Sequence, residues 1–153
     1  MPGANLTRDE ARERASLVAV DSYEIELDLT TGETTFASTT TVRFRAEKGA
    51  STWLDLIAPA VEEVVLNGKK LDAPALFDGN RIRLDGLRAQ NEVRVVAETS
   101  YMNTGEGLHR FVDPVDGEVY LYSQFEVPDS RRMFAVFEQP DLKATFQLTV
   151  TAP

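Results

Sequence analysis

Tyr23-Glu24-Ile25-Glu26-Leu27-Asp28-Leu29 alternates without a break: every odd position is apolar and every even one acidic. A period of two belongs to a strand with one face in a core and the other in water. Thr30-Thr31-Gly32-Glu33 follows as a turn, and the return run from Phe36 to Ala46 puts Phe36, Val42, Phe44 and Ala46 on even positions. A hairpin centred between Gly32 and Glu33 pairs odd with even residues, so Leu29 meets Phe36 and Tyr23 meets Val42 on one face. The opposite face then carries Glu24, Glu26 and Asp28 near Arg43 and Arg45. This is a solvated charge ladder, whose exposed pairs contribute ~0–1 kcal/mol each.

Upstream of the hairpin the period is helical. Thr7 and Glu10 stand at capping-box spacing, Asp9 and Glu10 occupy the first turn, and Arg12 and Arg14 follow. The helix is short and polar, so it must lie on a surface or dock elsewhere. Downstream, the pattern predicts short strands over 52–56, 61–66, 81–84, 92–98, 119–126 and 144–150. Asn67-Gly68 is the strongest hairpin signal among them, because both residues tolerate positive φ. Asp78-Gly79 and Asp85-Gly86 mark further turns. Positions 102–117, with three glycines and a proline, read as a long loop. Many short strands with this punctuation predict an all-β fold, a β-sandwich or saddle of antiparallel and mixed sheets with a short N-terminal helix.

Composition narrows the functions. The chain has 153 residues, enough for one sizeable domain, with 25 acidic against 16 basic residues and a net charge of −9. Its basic residues cluster no further than Lys69-Lys70 and Arg131-Arg132, so no nucleic-acid partner is expected, since phosphate binding needs concentrated positive charge. There is no cysteine and one histidine, His109. That donor set cannot build a paired-histidine zinc site, so no metal ligand and no catalytic residue is assigned within these residues. His109 reads as a loop-packing residue rather than a base. No serine elbow, phosphate loop or dinucleotide fingerprint occurs. The polar start, and the lack of any ~18-residue apolar run, point to a cytoplasmic chain with no membrane partner.

The most informative stretch runs over 119–146. Read physically, a strand ends in a polar pair, Gln124 and Glu126, on one face, with Phe125 pointing the other way. A loop with Pro128 and a turn at Gln139-Pro140-Asp141 lead into another strand. The polar pair is either an edge facing water or a pair of acceptors arranged for an ammonium group.

In order and spacing this stretch resembles the aminopeptidase N family of zinc metallopeptidases. The matching residues are Gln124-Phe125-Glu126, Ser130-Arg131-Arg132, Phe137-Glu138-Gln139-Pro140 and Lys143-Ala144-Thr145-Phe146. Leu66-Asn67-Gly68-Lys69 and Gly107-Leu108-His109-Arg110 resemble the family more faintly. The resemblance covers the chain from about Tyr23 onward. It implies a β-saddle that rests on a separate catalytic domain, where a His-Glu-x-x-His motif holds zinc. The saddle's expected partners are that catalytic domain and the N-terminus of a peptide substrate. Glu126 is expected to help bind the substrate's free α-amine and Gln124 to line the first specificity pocket. In some relatives the bond matching Glu126-Val127 is cis.

Ala135, Val136, Glu138 and Gln139 depart from the commoner turn residues, a change expected to alter packing, and His109 stands where the family often has Tyr. The resemblance also implies further strands after Thr151-Ala152-Pro153, so residues 1–153 are expected to be one truncated domain that lacks the zinc and is inactive alone. The competing readings are a free-standing β-sandwich binding module and a carboxylate-only hydrolase.

Overall fold

The computed structural model describes residues 5–153. In chain order the elements are helix α1 (Arg8–Leu17), strands β1 (Val18–Asp28), β2 (Thr35–Ala46), β3 (Thr52–Asp55), β4 (Ala60–Leu66) and β5 (Lys69–Leu71), and the one-turn helix α2 (Ala73–Leu76). Then come β6 (Arg81–Leu84), β7 (Gln90–Ser100), β8 (Gly107–Val112), β9 (Val119–Gln124), a 3-10 turn (Ser130–Arg132) and β10 (Thr145–Thr151). Among the described residues no helix is long and apolar enough to cross a membrane.

Helix α1 starts at a complete capping box. Thr7 Oγ1 accepts the Glu10 N–H at 3.2 Å, and Glu10 Oε2 accepts the Thr7 N–H at 2.9 Å. It ends where Val18-Ala19-Val20 turns extended, because β-branched residues favour the strand that begins there. The chain therefore passes from helix into β1 without a loop.

β1 and β2 pair as the alternation predicts, with Tyr23 opposite Val42 and Ile25 opposite Thr40. The ladder stops at Asp28–Ala37, however, so Leu29 and Phe36 are not a pair in it; the Leu29 N–H goes instead to the Thr151 carbonyl at 2.9 Å. β1 also begins five residues before Tyr23. A bulge between Val20 and Ser22 changes which parity faces inward, from Val18 and Val20 to Tyr23, Ile25 and Leu27. The extra residue hides the first part of the strand from a search for strict alternation.

β2 pairs with β7, β7 with β4, and β4 with β5, all antiparallel, while β10 lies parallel to β1. The result is a six-stranded mixed sheet of order β10-β1-β2-β7-β4-β5. The β4–β5 turn uses Asn67 at φ 51° and Gly68 at φ 80°, both in the left-handed region that Asn-Gly tolerates. On the inner face Tyr23, Phe36, Val42, Phe44, Val64, Val93 and Val95 are buried with the β3–β6 ribbon, whose Leu54, Ile82 and Leu84 are fully enclosed. Each such side chain contributes ~1.5–3 kcal/mol on leaving water. The fold is thus an all-β sandwich or saddle: a six-stranded sheet whose inner face packs on the β3–β6 ribbon, with β8 and β9 as a separate two-stranded sheet.

The outer face carries the charge ladder in part. Arg43 bridges Glu24 at 2.6 Å and Glu92 at 2.9 Å, and Arg45 reaches Asp21 rather than the acids opposite. Asp28 takes the Thr30 hydroxyl and N–H, and so belongs to the turn.

Two further sequence expectations need correction. The stretch 102–117 is not all loop, because β8 runs from Gly107 to Val112 and pairs with β9. The strand expected over 119–126 ends at Gln124. Gly105 and Gly107 before the short run Leu108-His109-Arg110-Phe111-Val112, and Pro114 after it, obscure a strand that pairs with β9.

Candidate functional site

Gln124 closes β9, opposite Gly107 of β8. Phe125 leaves the ladder and packs edge-on against Phe134, with ring centroids 5.7 Å apart. Glu126 to Asp129 then forms a turn in which the Asp129 N–H donates to the Glu126 carbonyl at 3.1 Å. The structure brings Gln124 and Glu126 together, though as a strand end and a turn rather than as two strand residues. Gln124 Oε1 accepts the Glu126 N–H. Both side chains are exposed, and among the described residues no donor reaches the Glu126 carboxylate. The Glu126 N–H takes one of the two lone pairs of the Gln124 carbonyl, so that oxygen keeps one acceptor site. One carboxylate faces out, with an amide NH₂ beside it. The Glu126–Val127 bond is trans, and the cis bond is the next one, Val127–Pro128.

What holds this turn is buried polar structure that sequence reading missed. Glu138 Oε2 accepts the Ser130 hydroxyl and, at 2.8 Å, the Arg131 N–H. The Glu138 N–H donates in turn to Asp55 Oδ2 at 2.9 Å. Asp55 also receives Arg14 Nη1 at 2.7 Å, and Arg14 Nε donates to Gln139 Oε1 at 3.0 Å. Gln139 Nε2 donates to the Ala11 carbonyl at 2.8 Å. Helix α1 is therefore docked on the 137–139 turn through a fully buried arginine. Arg14 and Arg81 both lie against Trp53, their guanidinium carbons 4.9 and 4.7 Å from a ring centroid. The one signal for this is Arg14's place three residues from Ala11 and from Leu17, on the helix's apolar stripe. Polar type alone argues against a buried role.

Arg81 binds Glu10 through both carboxylate oxygens, at 2.6 and 3.2 Å. That contact holds the Glu10 carboxyl down at about 2, against an ordinary 4.5. A depressed carboxylate contributes stability above its unfolded pKa and loses it as pH falls toward its folded one. The Glu10–Arg81 contact should therefore weaken between about pH 5 and pH 2. Because solvent still reaches Glu10, its contribution is set at ~1–2 kcal/mol. Urea titrations should show wild type more stable than Glu10→Gln by that amount at pH 6, with the gap narrowing by pH 3. A gap that stays constant over that range would contradict the assignment.

The β8 end is fixed by close approach. Gly107 has φ 63°, and a Cβ there would lie 2.8 Å from Arg132 Cβ. Arg132 pairs with Glu106 at 3.3 Å and Asp129 at 2.9 Å. His109 lies on β8 rather than in a loop; it stacks on Tyr122 and accepts the Gly105 N–H on Nδ1 at 3.0 Å, so its ring packs against the loop before the strand. Among the described residues no group of three or more His, Cys, Asp or Glu side chains could hold a metal ion.

Beside the site, Ile25, Phe125, Phe134, Phe146 and Leu148 line an apolar groove of about 330 Å³. Phe146 is 57% and Leu148 55% exposed, and Tyr120 and Tyr122 of β9 are open as well.

Comparison with known proteins shows the family and the fold. Residues 19–153 match the peptidase M1 N-terminal domain. Aminopeptidase N of Streptomyces lividans is 63% identical over 157 aligned residues, which take in 100% of this chain and 18% of that protein. A probable M1 family aminopeptidase of Encephalitozoon cuniculi is 36% identical over 120 residues, covering 63% of this chain and 14% of its own length. Leukotriene A4 hydrolase from Saccharomyces cerevisiae superposes with a TM-score of 0.73 at 18% identity, over 97% of this chain and 28% of that one. An M1 zinc metallopeptidase from Deinococcus radiodurans does so at 0.68 and 19%, over 90% and 33%. At such identities the structural likeness is one of fold. The chain thus spans less than a fifth of the length of these two aminopeptidases.

Proposed function

This chain belongs to the peptidase M1 N-terminal domain family, and we propose that it is the amino-terminal β-domain of a zinc-dependent aminopeptidase. In that reading the whole enzyme removes N-terminal residues from peptides, and this domain contributes recognition rather than bond cleavage. The observation that carries the reading is the Glu126 carboxylate, exposed at a braced turn with no donor from the described residues. A substrate α-ammonium is a donor of the right charge for it. Gln124, its carbonyl bonded to the Glu126 N–H, offers its amide NH₂ to the first side-chain pocket.

Zinc does not fit the residues of this chain. One histidine and no cysteine cannot supply a paired-histidine site. The metal and the bond-cleaving groups are therefore assigned to the catalytic domain of the parent chain. We place that domain against the open apolar side chains of β9 and β10, a patch suited to a partner surface. A free-standing binding module is disfavoured by 63% identity to an aminopeptidase across the whole chain.

The test compares residues 1–153 alone with the same residues in continuity with a catalytic domain. Hydrolysis of an amino-acid anilide and bound zinc are expected only in the longer protein. Chelator-sensitive hydrolysis that follows the folded 153-residue chain would overturn the assignment.

A further inference from the structure

We propose that Glu138 is a positioning residue for the amine-binding carboxylate, an inference that rests on the role of Glu126 given above. Glu138 is 8% exposed, and its backbone is tied to Asp55 of β3 by the N–H donated at 2.9 Å. Its side chain reaches the other way and takes both the Ser130 hydroxyl and the Arg131 N–H on one oxygen. Arg131 Nε donates to the Pro128 carbonyl at 2.8 Å, two residues beyond Glu126. The Asp129 N–H closes the turn on the Glu126 carbonyl itself. A continuous set of hydrogen bonds thus runs from a buried carboxylate in the core to the backbone of Glu126.

Charge-assisted bonds of this kind hold geometry more tightly than neutral ones. Tight geometry matters because a displacement of about 1 Å in a recognition group can cost ~100-fold in rate. A second tether, the Ile57 N–H to the Arg131 carbonyl at 2.8 Å, does not pass through Glu138. Loss of the Glu138 side chain should therefore loosen the turn without releasing it, for an effect of roughly 5- to 10-fold.

The experiment uses the full-length enzyme and two zinc-directed inhibitors, leucine hydroxamate and isocaproic hydroxamate, which differ only in the α-amine. Wild type should bind the amine-bearing compound more tightly, and Glu126→Ala should abolish that preference. Glu138→Ala should reduce the preference about 5- to 10-fold while binding of isocaproic hydroxamate stays unchanged. Glu138→Gln, which keeps an acceptor oxygen, should retain most of it. Ser130→Ala removes a single donor and should act in the same direction with smaller effect, which keeps the test decisive if Glu138→Ala fails to fold. A purely structural role would weaken both inhibitors together. An unchanged preference, or equal weakening of both compounds, in Glu138→Ala and Ser130→Ala would overturn the inference while Glu126 kept its role. If Glu126→Ala itself leaves the preference intact, the functional reading fails and this inference falls with it.

Discussion

Arg14→Ala is expected to destabilise the domain by about 3–5 kcal/mol, the range for removing one partner of a buried ion pair. The side chain is 0% exposed, and it serves three neighbours at once. It neutralises Asp55 at 2.7 Å, donates to Gln139 at 3.0 Å and lies over Trp53. Without it, Asp55 keeps the Glu138 N–H and an Arg81 nitrogen at 3.9 Å, too long for a hydrogen bond. A buried carboxylate left in that state must bind a proton, admit water or shift the strand that carries it. Lysine should not rescue, because an ammonium cannot serve Asp55 and Gln139 in the same planar fork. Urea unfolding followed by fluorescence reads this directly, since Trp53 is the single tryptophan and lies against both guanidinium groups. An exposed pair such as Arg43–Glu24 supplies the contrast and should be worth at most ~1 kcal/mol. A loss below that for Arg14→Ala would mean that its pairing only offsets its desolvation.

In the full-length enzyme, Glu126→Ala should lower kcat/KM on peptides with a free amino terminus by roughly 10- to 100-fold. The figure follows from one charge-assisted hydrogen bond of ~1.5–3 kcal/mol, at ~1.4 kcal/mol per factor of ten. Zinc content should not change, because Glu126 is no ligand in this reading. Gln124→Ala should act more mildly on rate and alter the preference for the first residue, as expected of a neutral pocket contact. It also frees the Glu126 N–H, so a small loss of amine recognition should accompany it. Steady-state kinetics with metal analysis checks both variants. An unchanged kcat/KM for Glu126→Ala would make this strand end a polar edge facing water.

The two variants differ in how visible their residues are beforehand. Gln124 and Glu126 stand out as a motif in sequence, since the recognition role proposed for them needs specific chemistry in a specific local order. Arg14, Asp55 and Arg81 stand out in no local pattern. Each is an ordinary charged residue in sequence, and 41 positions separate Arg14 from Asp55. Only packing of the helix, the β3–β6 ribbon and the 137–139 turn turns them into one cluster.

The same division runs through the fold. Alternation in residues 23–29, the Asn67-Gly68 turn and the Thr7–Glu10 capping box are local, and each was determined by sequence alone: a side chain's periodicity, backbone freedom or reach settles it. The register of β1 on β2 belongs here too, because a one-residue slip would turn Tyr23, Ile25 and Leu27 out of the core. What only the tertiary structure decided is non-local. It set the early start of β1 behind its bulge, the existence of β8 beside β9, and the end of β9 at Gln124. It also decided that the Gln124 carbonyl accepts the Glu126 N–H, and that a surface-type helix buries an arginine. In each case the deciding partner lies elsewhere in the chain or in a turn whose shape depends on such partners, and its energy enters only once the fold brings the two together.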